Sequence, residues 1–155
     1  YECFIANDNS NLQVVVSGLK KDINLLSDDL NNKKIKNLKL NVSAPFHCKY
    51  MKTASEKMTD YINDLKMNDL EKPIVSNVTA NETSSPKEIK SLLISQIEKK
   101  VRWLESVEYM INNGIKNFVE IGPGKVLSGL IKRINKNVKV NSINNEEDIK
   151  LLIND

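Results

Sequence analysis

Val42-Ser-Ala-Pro-Phe-His-Cys-Lys-Tyr-Met51 carries the only histidine of the chain, His47, at a point where the hydrophobic period changes. Before it, Leu38, Leu40 and Val42 alternate with Asn37, Lys39 and Asn41, the period-two pattern of a half-buried strand. After Pro45, the residues Met51, Ala54, Met58, Ile62 and Leu65 recur at three- and four-residue steps, the stripe of an amphipathic helix. The spacing predicts a strand over 36–42 that hands over to a helix N-terminus, with His47 in the junction. Histidine is the side chain most often used as a general base near neutral pH. A histidine that merely fills or caps a turn is the plainer reading, and position alone leaves both open.

Upstream of this junction, residues 2–7 and 12–17 read as short strands joined by the polar turn Asp8–Asn11. Leu19, Ile23, Leu26 and Leu30 mark a helix face that ends at Asn31-Asn32. With strand 36–42 the order is β-β-α-β, which is a ferredoxin-like unit without its opening strand and helix. Downstream, Pro73–Val78 reads as a brief strand. Ser85-Pro86-Lys87-Glu88 is a strong helix start, with serine as cap, proline in the first turn and glutamate closing a capping box. Trp103, Leu104, Val107, Met110 and Ile111 form the next helix face, with Gly114 as its terminator. Asn117–Ile121 is a strand, followed by Gly-Pro-Gly, a helix with Val126, Leu127, Leu130, Ile131 and Ile134, a strand over 138–143 and a helix over 146–153. Strands alternating with helices imply parallel pairing in an α/β core.

Composition narrows the function classes. The chain has 155 residues, 40% hydrophobic and 28% charged, enough for one ordinary domain with a core. The net charge of +3 is scattered as short lysine pairs beside one tryptophan, not gathered into the basic, aromatic-interleaved patch of a nucleic-acid binder. No apolar run has the length of a membrane span. Two cysteines, Cys3 and Cys48, make no disulfide framework, and with a single histidine they make no structural zinc site. A cytoplasmic location with reduced thiols is expected. Gly122-Pro-Gly-Lys125 is too short for a phosphate loop, and Pro123 removes one of the N–H donors such a loop needs.

Ser43-Ala-Pro-Phe-His-Cys-x-x-Met51 resembles the histidine motif of malonyl-CoA:acyl carrier protein transacylases. Four further stretches follow that family's order: Ile5-Ala-Asn-Asp-Asn-Ser with Gln13-Val-Val-Val-Ser-Gly, Pro73-Ile-Val-Ser-Asn-Val, Val101-Arg-Trp-Leu-Glu-Ser-Val, and Val119-Glu-Ile-Gly-Pro-Gly-Lys-Val-Leu. The resemblance implies an α/β fold. Residues 1–43 would be the remainder of a ferredoxin-like small subdomain, and 44–155 the C-terminal part of an α/β-hydrolase-like acyltransferase core.

The resemblance also implies an activity: malonyl transfer from malonyl-CoA to the phosphopantetheine thiol of an acyl carrier protein, through an acyl-serine, in fatty-acid synthesis and without a cofactor. His47 would be the general base. Gln96, in the matching pattern Gln-x-x-x-x-Val-x-Trp, would orient it through its main chain, although its residue type alone reads as a polar position late in a helix. Phe46 would line the acyl pocket, and Asn9 would lie near the site or simply serve its turn. The family's Gly-x-Ser-x-Gly elbow is absent from these 155 residues, as are its glutamine motif and the arginine that pairs with the malonyl carboxylate. The chain is therefore expected to be a C-terminal half that is inactive alone, with the gene product beginning upstream of Tyr1. Two other readings stay open: a separate, non-catalytic polypeptide, either a decayed remnant or a half that reassembles with its missing N-terminal half, and a module that docks an acidic carrier protein through surface lysines without chemistry.

Overall fold

The clearest local grammar lies near the C-terminus. The computed structural model describes residues 1–153. Strand β5 (Asn117–Ile121) runs into the Gly-Pro-Gly turn, helix α5 (Val126–Ile134), strand β6 (Lys139–Ile143) and helix α6 (Glu146–Ile153). β5 and β6 pair in parallel, from Asn117 opposite Lys139 to Ile121 opposite Ile143, as a strand–helix–strand crossover requires. Helix α4 (Trp103–Asn112) packs against this unit, and Val107, Ile131 and Val138 form the buried core with Trp103, Met110, Phe118 and Val140 around them. Gly114 ends α4 at φ +91°: its N–H donates to the Ile111 carbonyl, and Ile115 N–H to that of Met110, both at 3.0 Å. This is the paired bonding of a Schellman terminator.

At the other end, strands β1 (Cys3–Ser10) and β2 (Gln13–Gly18) form an antiparallel hairpin, with a tighter turn than the sequence suggested. The register slips between Asp8 and Ser10, so Asn9 sits in a bulge of β1 and not in the turn. Helix α1 (Lys20–Asn32) follows, and its anticipated apolar face is only half-buried. Its buried residues are Asp22 and Ser27.

The strand expected over 36–42 does not form. Residues 35–42 run without regular structure, with Leu38, Leu40 and Val42 at 84%, 55% and 60% exposure. A strand exists only as one side of a ladder, and no described strand pairs with this segment. It is held to α1 by side chains instead: Ser27 Oγ donates to Asn37 Oδ1 at 2.8 Å, and Lys39 Nζ to Asn24 Oδ1 at 2.9 Å. The β-β-α-β order therefore reduces to β-β-α.

Helix α2 (Lys52–Asp64) is entered through a short 3-10 turn at Lys49–Met51. Of its predicted stripe only Ile62 is buried, while Met58 and Leu65 stay exposed. The strand expected at Pro73–Val78 contracts to β3 (Ile74–Val75), which pairs with β4 (Glu82–Thr83) in a small hairpin that carries no sequence period. Helix α3 (Pro86–Ser95) begins as predicted, with Glu88 N–H donating to Ser85 Oγ at 3.3 Å. The return half of the box passes through Thr83, whose hydroxyl donates to Glu88 Oε2 at 2.6 Å and accepts from Ser85 N–H at 3.2 Å.

Candidate active site

His47 stands in the turn ahead of α2 with φ +58°. A non-glycine residue in the left-handed region costs about 1–2 kcal/mol, so the surroundings must hold it there. They do so through the ring. Nδ1 of His47 lies 2.8 Å from the main-chain oxygen of Gln96, 49 residues away. A carbonyl can only accept, so Nδ1 carries a proton, and in the neutral ring Nε2 is then left with a free lone pair.

The Gln96 carbonyl is available because a helix ends there. α3 stops at Ser95, and the next amides turn back: Lys99 N–H bonds the Ser95 carbonyl at 3.0 Å. The orphaned oxygen of a helix C-terminus thus finds a side-chain donor.

The turn 96–100 is anchored on its far side. Val101 is stitched to β1 by Val101 N–H to the Ala6 carbonyl at 2.8 Å and Asp8 N–H to the Val101 carbonyl at 2.9 Å. Arg102 follows as a clamp. Its guanidinium donates to the carbonyls of Val78 (3.2 Å) and Thr79 (2.8 Å) and, through Nε, to Glu105 Oε1 at 2.8 Å. This hydrogen-bonded pairing holds the Glu105 carboxyl below the usual carboxylate range and pushes Arg102 up. Lys100 adds contacts of 3.7 Å to Asp8 and 3.9 Å to Glu105.

Beside His47 opens a cleft of about 500 Å³, lined by Cys3, Phe4, Ile5, Cys48, Lys49 and residues 98–100. Its wall joins β1 to the histidine turn. Glu2 accepts from Lys49 Nζ and, at 2.6 Å, from Tyr50 Oη, while the Phe4 and Tyr50 rings meet edge-to-face at 5.8 Å. The bond to Glu2 pushes the Tyr50 phenol up to about 12. Cys48 is buried, and its thiol donates to the Pro45 carbonyl at 3.1 Å.

His47 and Gln96 are brought together. Phe46, 44% exposed, neighbours His47 in sequence, but neither it nor Asn9 lines the cleft. Of the two arginines, Arg102 is engaged as described, and the exposed Arg133 makes one bond, to Gln13 Oε1 at 3.3 Å. No group of three or more His, Cys, Asp or Glu side chains is gathered for a metal among the described residues.

The Gly-Pro-Gly-Lys turn acquires a partner that sequence reading missed. Glu120, projecting from β5, accepts from the α5 amides of Leu127 (3.0 Å) and Ser128 (2.8 Å). Bonds from Ser128 hold this carboxyl below its usual range. The place a phosphate would take at this helix N-terminus is filled by the chain's own carboxylate.

The α/β fold of this chain is that of solved acyl-carrier-protein malonyltransferases. The chain superposes on the acyl-carrier-protein-S-malonyltransferase of Bartonella henselae with a TM-score of 0.92 at 37% identity, over 98% of this chain and 49% of that one. A malonyl-transacylase solved in complex with its type II PKS acyl-carrier protein gives 0.91 at 33%, over 99% and 50%. In sequence the chain is 43% identical over 148 residues to the malonyl CoA-acyl carrier protein transacylase of Staphylococcus aureus (strain COL), taking in 94% of this chain and 47% of that protein. No family model matches. The chain matches the C-terminal half of malonyl CoA-acyl carrier protein transacylases and spans about half the length of the curated relatives it matches.

Proposed function

We propose that these residues form the histidine-bearing half of an enzyme that moves malonyl from coenzyme A to an acyl carrier protein in cytoplasmic fatty-acid synthesis. The observation that supports this most is the 2.8 Å contact between His47 Nδ1 and the Gln96 carbonyl. With Nδ1 as donor, Nε2 takes the proton of a serine hydroxyl as its oxygen attacks the malonyl thioester. The C–S bond breaks, the imidazolium returns the proton to the departing thiol of coenzyme A, and malonyl rests on the serine as an ester. The carrier's phosphopantetheine thiol then gives its proton to Nε2 and attacks that ester, and the serine leaves with the proton restored.

None of the 155 residues forms the Gly-x-Ser-x-Gly elbow, so in this reading the serine comes from polypeptide outside them. Phe46 would border the acyl group and Asn9 the approach to the site. Residues 1–43 would complete a ferredoxin-like subdomain and 44–155 an α/β-hydrolase-like core. The test is a chimera in which this chain replaces the C-terminal half of the S. aureus relative. It should transfer malonyl to carrier protein and lose that transfer on His47→Ala. A folded chimera with near-normal turnover in the His47→Ala variant contradicts the reading.

A further inference from the structure

Strand β1 serves both sides of the contact between His47 and Gln96. On the histidine side, Glu2, the residue before β1, accepts from Lys49 Nζ and, at 2.6 Å, from Tyr50 Oη. Phe4, two residues on and so on the same face, meets the Tyr50 ring edge-to-face and has Lys49 Nζ 5.3 Å from its centre. Lys49 and Tyr50 open the 3-10 turn that follows His47 and Cys48. On the glutamine side, the backbone of Ala6 and Asp8 holds Val101, which closes the turn bearing the Gln96 carbonyl. Lys100 adds its 3.7 Å contact to Asp8.

These contacts form a closed circuit that runs from β1 through Tyr50, Lys49, His47, Gln96 and Val101 back to β1. The cleft beside His47 is lined from all of its parts, by residues 3–5, 47–49 and 98–100. A hydrogen bond in such a circuit is placed only as well as the other joints allow. The Val101 joint is made of two backbone bonds. The Glu2 joint is made of side chains, and Glu2 and Lys49 are 51% and 57% exposed, where an isolated ion pair contributes little. This carboxylate, however, takes donors from two consecutive residues, and one of them is also packed on Phe4. The backbone it steadies begins at a strained residue, His47 at φ +58°, which favours relaxation once a support is removed.

We propose that Glu2 is a positioning residue for His47: its carboxylate gathers Lys49 and Tyr50 onto β1 and so keeps Nδ1 on the Gln96 carbonyl. Its bearing on catalysis rests on the functional reading above, whereas the ring geometry can be read without turnover. The joint persists around neutral pH. Bonds from Lys49 and Tyr50 hold the Glu2 carboxyl below its usual range, so it stays charged, and the bond to Glu2 pushes the Tyr50 phenol up to about 12, so it stays a donor.

The experiment reads the His47 tautomer by ¹⁵N labelling of this chain, at a pH where the ring is neutral, and kcat and KM in the chimera. Glu2→Ala should lower the ratio of Nδ1–H to Nε2–H about fivefold. It should lower kcat about tenfold with little change in KM, because the base is displaced and the substrate is not. Glu2→Gln keeps an acceptor for Tyr50 and loses the ion pair, so it should fall between Glu2→Ala and the parent. Glu56→Ala, which removes the exposed Lys52–Glu56 pair on α2, should change neither quantity. A folded Glu2→Ala chain with the parent's tautomer ratio overturns the proposal, even if kcat falls. If Glu2→Ala does not fold, an unchanged ratio in Glu2→Gln overturns it instead. So does a shifted ratio in a chimera that keeps its kcat, or an equal shift with Glu56→Ala. A ratio that shifts as described, beside a parent chimera that folds but transfers no malonyl, upholds the positioning of the ring and counts against the functional reading.

Discussion

Two of the turns that lead into helices, those ahead of α5 and α2, solve the same backbone problem in opposite ways. Between β5 and α5 the left-handed positions are glycines, Gly122 at φ +135° and Gly124 at φ +96°, and the helix start is capped by Glu120 from the preceding strand. Glycine takes such angles without steric penalty. Ahead of α2 the left-handed position is His47 at φ +58°, held against its preference by the bond to Gln96. Where only geometry is needed, the sequence uses glycine; where a ring must be aimed, it accepts strain. Strained residues of this kind gather at functional sites.

The contrast can be broken from either side. The largest effect should follow His47→Ala in the covalent chimera, where acyl transfer should fall by up to about 10⁴-fold, the upper range of what a general base contributes. Arg102→Lys should come next. Lysine lacks the planar fork that holds the Val78 and Thr79 carbonyls and Glu105 together, so the turn bearing the Gln96 carbonyl loosens. A fall in kcat of about 10²-fold is expected from a small misplacement of the base, with little change in KM. An unchanged kcat would show that Val101 and Lys100 suffice to place the turn.

Stability should divide the two turns in the opposite sense. Thermal unfolding of His47→Gly and His47→Ala should favour glycine by about 1 kcal/mol, because alanine keeps the left-handed penalty that glycine lacks. Gly124→Ala should cost about 1 kcal/mol from the backbone alone, since an added Cβ there meets nothing within 4 Å. A neutral Gly124→Ala would mean that this turn relaxes freely.

The smallest effect concerns acid. The folded-state carboxyl of Glu120 titrates below its ordinary value because its charged form accepts bonds from α5. Its stabilising contribution is therefore present above the ordinary glutamate value of about 4.3 and is lost as pH falls through the folded value. Glu120→Gln should lower the melting temperature slightly at neutral pH and flatten its decline in acid. An identical pH profile would remove the cap from the account.

What the sequence made legible was whatever is settled locally. The β5–α5–β6–α6 run follows from period, turn residues and termini alone, as do the start of α3 and the Gly114 terminator. What failed depended on partners. Residues 36–42 have strand alternation but no strand beside them, so the pattern produced no ladder. The two-residue strands β3 and β4 are too short to carry a period. Glu120 caps α5 across a turn, seven and eight residues ahead, a contact no helical or strand spacing announces. The pairing of His47 with Gln96 spans 49 residues and was reached through family resemblance, since residue type alone would have left Gln96 as a polar position.

The central claim is that Gln96 fixes the His47 ring with Nδ1 protonated and Nε2 free. Because His47 is the only histidine, histidine-selective ¹⁵N labelling gives one imidazole, whose two ring nitrogens can be read without overlap. With the ring neutral, the account predicts a pyrrole-type shift at Nδ1 and a pyridine-type shift at Nε2, lost to tautomer averaging on unfolding. A folded chain whose neutral ring carries its proton on Nε2 would contradict it, for that nitrogen could then take no proton from a serine.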